Sequence, residues 1–298
     1  MKKLTLAALG IIALAALPVS AANWSDTSIG YRYGTQFREP GLMGTIEKNI
    51  VSLTHVSGWD YGQNFFNVDM LMSSKQDPAM NTNNQVPYSG GQPQEGITGA
   101  NEVYVTYNSS LSLGKLTKSN LAFGPVKDIS LTGDFEFNSK ENSFASKKRF
   151  IAFGPTFAFN VKNGFASLGI WACHEQNYNG VTLKPVDFKT DFELTLAWGL
   201  NYKLGVPVEF KGFCNYLGSK GKDGFGADTK PETLCDMALM FDVSQFIGRK
   251  KGAVSIGPGF EFWNNKFGGA NYTNTNPSTP YNNNQPVHAF MAQAEIHF

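Results

Sequence analysis

From Asp191 to Lys203 the chain alternates: Phe192, Leu194, Leu196, Trp198, Leu200 and Tyr202 share one parity, against Asp191, Glu193, Thr195, Gly199, Asn201 and Lys203 on the other. A period of two places successive side chains on opposite faces of an extended strand, so one face suits hydrocarbon and the other water. The same split recurs at Ile129, Leu131, Phe135 and Phe137 against Asp128, Ser130, Thr132, Asp134 and Glu136, and at Val103, Val105 and Tyr107 against Glu102, Thr106 and Asn108. Segments of about ten such residues, separated by Gly, Pro, Asn and Asp clusters, predict an all-β barrel or sandwich. About twelve strands are expected, near residues 27–37, 48–57, 62–73, 100–112, 126–138, 149–161, 165–176, 188–203, 207–218, 233–242, 253–263 and 287–298. No convincing amphipathic helix competes with them.

The connections favour an antiparallel transmembrane barrel, whose periplasmic turns are short and whose outer loops are long. Counted from a periplasmic start, Gly58 to Tyr61, Lys162 to Gly164 and Leu204 to Val206 are tight. Ser74 to Gly99, Lys140 to Lys148, Asn177 to Asp187, Ser219 to Glu232 and Asn264 to Pro286 are longer and polar, as outer loops should be. Leu113 to Pro125 and Val243 to Gly252 are longer than a periplasmic turn usually is. The alternation runs to Phe298, with Ala292, Ala294 and Ile296 on its face, which is how most outer-membrane barrels present themselves to their insertion machinery. An even strand number and a closing last strand remove exposed edges, which would leave backbone groups unpaired in lipid.

At the other end, Lys2 and Lys3 precede an apolar run from Leu4 to Leu17, then Pro18 and the small residues Val19 to Ala22. That pattern predicts a secretory signal peptide over residues 1–21, cleaved after Ala21 or Ala22, with the barrel over residues 22–298. The run is shorter than the ~20 residues of a spanning helix. The expected location is the outer membrane of a Gram-negative bacterium.

Composition narrows the function more than the fold. The whole chain carries 25 basic and 24 acidic residues; losing Lys2 and Lys3 leaves 23 − 24 = −1. A nearly neutral surface argues against nucleic acid as a partner. Mean hydropathy of −0.24 resembles that of soluble proteins, as alternation in a membrane barrel also produces. Cys173, Cys214 and Cys235 are odd in number and widely spaced, which describes neither a disulfide framework nor a zinc site; small side chains within strands suffice to explain them, although one pair could oxidise in the periplasm. The motifs GxSxG, HExxH, P-loop and strand-to-helix GxGxxG are absent, and His55, His174, His288 and His297 show no ligand spacing. No enzyme, cofactor or metal site is expected, the nearest alternative being a barrel hydrolase built on Ser255 with His288 or His297.

What remains is the inward parity. It collects Arg32, Asp69, Glu102, Asp134, Glu136, Glu193, Glu209, Lys211, Asp236, Glu261 and Glu295, with acids outnumbering bases. Any water-filled or plugged lumen needs such residues. The same parity also carries aromatics beside polar groups: Phe65 with Asn67 and Asp69, Trp171 with Ser167, Phe213 with Lys211 and Asn215, and Trp263 with Glu261. Such a surface suits a base attached to a sugar, because a ring can stack while polar groups take hydroxyls and base edges. Stacking of ~1–3 kcal/mol per base gives weak binding, since about 4 kcal/mol corresponds to a millimolar dissociation constant. Weak binding is what a channel needs, because tight binding stops release. The expected solute pathway is Arg32, Phe65, Asn67, Asp69, Glu102, Asp134, Glu136, Trp171, Glu193, Lys211, Phe213, Asp236 and Glu261.

The stretches WSDTSIGYRYGTQFREPG and KNIVSLTHVSGWDYGQNFFNVDMLMSSKQDP, with the closing AEIHF, resemble the Tsx-like nucleoside channel family of outer-membrane proteins, most strongly over residues 24–78. The resemblance implies a twelve-stranded barrel, a narrow lumen of aromatic and ionisable residues, facilitated diffusion of nucleosides, and outer loops that serve phage and colicins as receptors. The chain departs from the better-known members at Tyr31 to Gly34, where they have a Trp-rich opening. Phe65, Asn67 and Asp69 are the pathway positions inside the matched block. The alternative is a structural or surface-receptor barrel with a plugged lumen, suggested by the long loops.

Overall fold

The computed structural model describes residues 22–42, 44–80, 88–89, 92–93, 98–272 and 284–298. The expected signal peptide and the middles of the two longest loops, 81–87 with 94–97 and 273–283, lie outside the described residues. The described chain is a closed antiparallel barrel of twelve strands. They are β1 (Trp24–Phe37), β2 (Ile46–Trp59), β3 (Gly62–Ser73), β4 (Asn101–Ser112), β5 (Val126–Lys140) and β6 (Arg149–Phe159). The second half is β7 (Gly164–Asn179), β8 (Asp191–Leu204), β9 (Val206–Leu217), β10 (Glu232–Asp242), β11 (Val254–Asn264) and β12 (Val287–His297). Each strand pairs with the next, and β12 closes onto β1 from Ser28 opposite His297 to Gly34 opposite Met291. Every strand falls within a few residues of its expected place, because alternation bounded by turn residues is a local signal.

All the connections at one end are short or tightly folded. Gly205, at φ +79°, makes the β8–β9 turn alone, a left-handed conformation that glycine adopts without steric cost. The two longer connections at that end shorten themselves by coiling. Leu113–Thr117 forms a helical turn capped by the Ser112 side chain, and Ser244–Ile247 forms a 3-10 turn. The longer loops all leave from the opposite end, as expected.

Register assigns each strand's two faces. Ile29, Leu53, Phe192, Leu196, Phe290 and Ile296 point outward and are exposed, so the barrel is girdled by apolar side chains. That is the surface a bilayer solvates. Cys214 and Cys235 also point outward, directly opposite one another on β9 and β10, and form a disulfide with Cα atoms 4.1 Å apart. For these two cysteines, oxidation rather than small size is the structural role; Cys173 stays a buried free thiol.

The interior is not uniformly polar. Near the loop end Phe37, Ile46, Ile50, Val287, Ala289 and Met291 pack as a buried cluster on β12, β1 and β2, and Phe150, Ala152, Trp171 and Cys173 form a second on β6 and β7. Close packing there needs small partners: a Cβ on Gly259 would lie 1.7 Å from the Gln293 side-chain nitrogen. Burying large apolar side chains at ~1.5–3 kcal/mol each makes that end of the lumen a core rather than a bore.

Candidate functional site

The lumen is the candidate site, and the expected pathway residues all face it. Pairings of Thr54 with Asn67 and Ser52 with Asp69 carry the inward parity from β2 to β3. Pairings of Phe65 with Asn108, Asp69 with Tyr104, Glu102 with Lys140, Thr106 with Glu136 and Asn108 with Asp134 carry it on to β5. On the other half, Trp171 stands beside Glu193, Phe213 beside Asp236, and Asp236 beside Glu261. The structure brings these residues together in three groups.

The first is a bridge built on Arg32. Its guanidinium donates to Asp69 at 2.5 Å, to Asp236 at 3.0 Å and to Ser52 at 3.4 Å. Asp236 is on β10 and Asp69 on β3, the two ends of a run of six adjacent strands with β1 inside it. Five strand spacings, of the twelve around the closed barrel, amount to about 24 Å of wall. Arg32 therefore ties opposite margins of this half-barrel along a chord and narrows the lumen where it crosses. A chain of bonds supports it: Thr54 donates to Asn67 at 2.7 Å, and Asn67 to Asp69 at 3.1 Å. Toward the short-turn end Lys211 reaches Glu295 at 2.5 Å, from β9 to β12.

The second group lies on β4 to β8. Lys148 pairs with Glu136 and donates to the Tyr104 hydroxyl at 2.7 Å, while that hydroxyl donates to Glu136 at 2.5 Å. Asp134 and Glu193 are the other carboxylates here, both buried. Trp171, expected as a stacking face, is 7% exposed; it packs with Phe150 and Cys173 and donates its indole N–H to Thr156 at 3.1 Å. Phe65 and Phe213 are half-buried.

The third group was not foreseen from the sequence. All six connections at the loop end contribute buried side chains to a cap: Glu39, Asp77, Asn142, Phe188, Lys220 and Lys266, one from each. Glu39 takes Lys48 at 2.6 Å, Lys266 at 3.1 Å and Lys140 at 3.4 Å, and Lys140 also meets Asp77 at 2.6 Å. On the other side Lys220 pairs with Glu175 at 2.5 Å and Glu232 at 3.8 Å, and its ammonium lies 4.6 Å from the Phe188 ring centre. Trp263 donates to Glu232 at 2.6 Å while Lys266 sits 4.3 Å above its ring, so this aromatic belongs to the cap rather than to an open wall. Burial alone would raise the Glu39 carboxyl; Lys140, Lys266 and Lys48 outweigh it and hold it well below the usual carboxylate range. Strand parity could have identified Lys48, Lys140, Glu175 and Glu232 as inward. It carries no information on the loop residues that meet them.

Ser255 and His288 of the alternative hydrolase set lie on opposite faces of the wall. Ser255 pairs with Glu295 in register and faces the lumen, whereas His288 faces outward beside Phe260 and Phe262. His297 is held by Asp26 at 2.8 Å and Glu295 at 3.5 Å.

No family model matches the chain, and no curated protein matches it. Solved barrels resemble it in architecture. The KdgM porin is 10% identical, with 91% of this chain and 99% of that one covered and a TM-score of 0.38. The COG4313 outer membrane channel from Pseudomonas putida F1 is 11% identical, over 95% and 97%, with a TM-score of 0.47. The translocator domain of the autotransporter NalP from Neisseria meningitidis is 10% identical, over 99% and 98%, with a TM-score of 0.43.

Proposed function

We propose that this chain is an outer-membrane channel for facilitated diffusion of small solutes, and that nucleosides are among them. One observation carries the reading: a closed twelve-stranded wall is apolar and exposed outside while its lumen is lined by hydrogen-bonding and ionisable side chains. Such a wall sits in lipid and offers water a path. Twelve strands enclose a space between the filled eight-stranded barrels and the open pores of sixteen, and the Arg32 bridge narrows it further. The nucleoside part rests on the resemblance over residues 24–78 and on Phe65 and Phe213, rings that share the lumen with Asn67, Asp69, Lys211 and Asn215.

Single-channel conductance of the refolded protein in planar bilayers tests both parts, titrated with adenosine and thymidine and with a sugar as control. Block by millimolar nucleoside but not by sugar is the expected result. Steady current unaffected by nucleosides would remove the nucleoside part. The buried cap favours a second reading, a closed surface-receptor barrel; absence of current from both the wild type and a cap-breaking variant would establish it over the channel.

A further inference from the structure

The two connections that are long for periplasmic turns, between β4 and β5 and between β10 and β11, share one make-up. Residues 113–125 hold Lys115 and Lys118, with Lys127 just beyond, and residues 243–252 hold Arg249, Lys250 and Lys251; neither stretch contains an acid. All six cations are exposed, and among the described residues none forms an ion pair or a side-chain hydrogen bond. The nearest acids are turned to the backbone instead. Asp128 accepts from the Gly114 N–H at 3.3 Å and Asp242 from the Gly252 N–H at 2.9 Å, with Lys251 acting on Asp242 only at longer range. Beside the cations stand open apolar side chains: Phe246 is 75% exposed, Ile247 58%, Phe123 56% and Leu116 47%. The opposite end of the barrel is built the other way, with Lys48, Lys140, Lys220 and Lys266 buried in ion pairs.

Exposed rings and aliphatic chains beside unpaired cations suit the boundary of a bilayer, where the apolar groups enter the acyl edge and the cations meet phosphates. The lipid-facing wall runs directly into both connections. β5 leaves the first with Ile129 and Leu131 on its outward parity, and β11 leaves the second with Ile256 outward and exposed. The two connections are also six strands apart in a ring of twelve, on opposite sides of the barrel. A single protein partner would need one continuous face, whereas two opposed patches each meet their own stretch of membrane.

We propose that these two connections are lipid-binding feet for anionic phospholipid of the periplasmic leaflet, the cations holding its phosphodiester while Leu116, Phe123, Phe246 and Ile247 enter the acyl boundary. The inference needs the transmembrane barrel but not the channel reading, so a barrel that carries no current leaves it standing.

Native mass spectrometry tests it on the refolded full chain, released from micelles that hold equal amounts of phosphatidylglycerol and phosphatidylcholine, by counting the lipids each barrel retains. Wild type is expected to retain phosphatidylglycerol in preference, and to lose the preference as ionic strength rises from about 0.05 to about 0.5 M; this arm needs no variant. K115Q/K118Q/K127Q and R249Q/K250Q/K251Q should each remove about half of the retained phosphatidylglycerol, and F246S/I247S should weaken retention with every cation in place. K147Q/K184Q/K189Q takes the same charge from exposed lysines at the loop end and should change nothing. Equal retention of the two lipids by wild type, or an equal loss in the loop-end variant, overturns the proposal. Displacement of the lipid by water-soluble glycerol phosphate overturns it too, and would assign the cations to a free anion.

Discussion

Replacing Glu39 by glutamine removes the carboxylate on which three lysines of the cap converge, at 2.6, 3.1 and 3.4 Å. Lys140 then keeps Asp77 at 2.6 Å, while Lys48 and Lys266 lose the carboxylate they contact and keep only more distant charges, that of Glu261 among them. Taking one partner out of a buried ion pair costs ~3–5 kcal/mol, because the remaining charge stays buried without compensation. If about 3 kcal/mol of that falls on the closed arrangement and not on one with the loops lifted into water, the closed-to-open ratio drops about 150-fold. Single-channel recording should show E39Q open for a far larger share of the time than wild type. The pH dependence has a definite sign. A carboxyl whose folded value is depressed contributes stability that is present above its unfolded value and lost as pH falls through the folded one. With Glu39 held well below the usual range, the wild-type cap should survive mild acid and open only in strong acid, and E39Q should lack that transition. A refolded E39Q barrel whose open probability and acid response match those of wild type would refute the cap as the element that closes the outer mouth.

Three further outcomes are expected. Arg32→Gln frees Asp69 and Asp236 from their bridge, so the unit conductance should rise and cation preference increase, while an unchanged conductance would place the constriction elsewhere. Reducing the Cys214–Cys235 disulfide, which closes a segment of 21-residue separation, should lower stability by about 3 kcal/mol in denaturant unfolding of the folded barrel; C214A should show the same loss and no further response to reductant. Leu196→Arg puts a charge on the outward face midway along β8 and should destabilise the barrel in lipid by ~2–4 kcal/mol, measured by reversible unfolding from vesicles. A negligible effect there would argue against lipid contact at that position.

The sequence alone determined which segments are strands, how many there are, and which side chains face in. Each of these depends on a period of two that neighbouring residues enforce on one another, so Phe192 and Glu193 declare their sides without reference to any distant part of the chain. The tertiary structure decided which inward residues meet. Arg32 finds Asp236 204 positions away because closing the sheet through β12 and β1 brings β10 within reach of a chord. Cys214 faces Cys235 because the β9–β10 register sets them level, and a slip of one residue would have put them on opposite sides of the wall. The cap was hidden for a related reason. Glu39, Asp77 and Lys266 sit in loops with no alternation to read, and their burial depends on opposite charges that other loops and strand ends bring to the same mouth. Strand identity is a property of local chain geometry, whereas charge pairing across a lumen is a property of the closed surface and exists only once the last strand has joined the first.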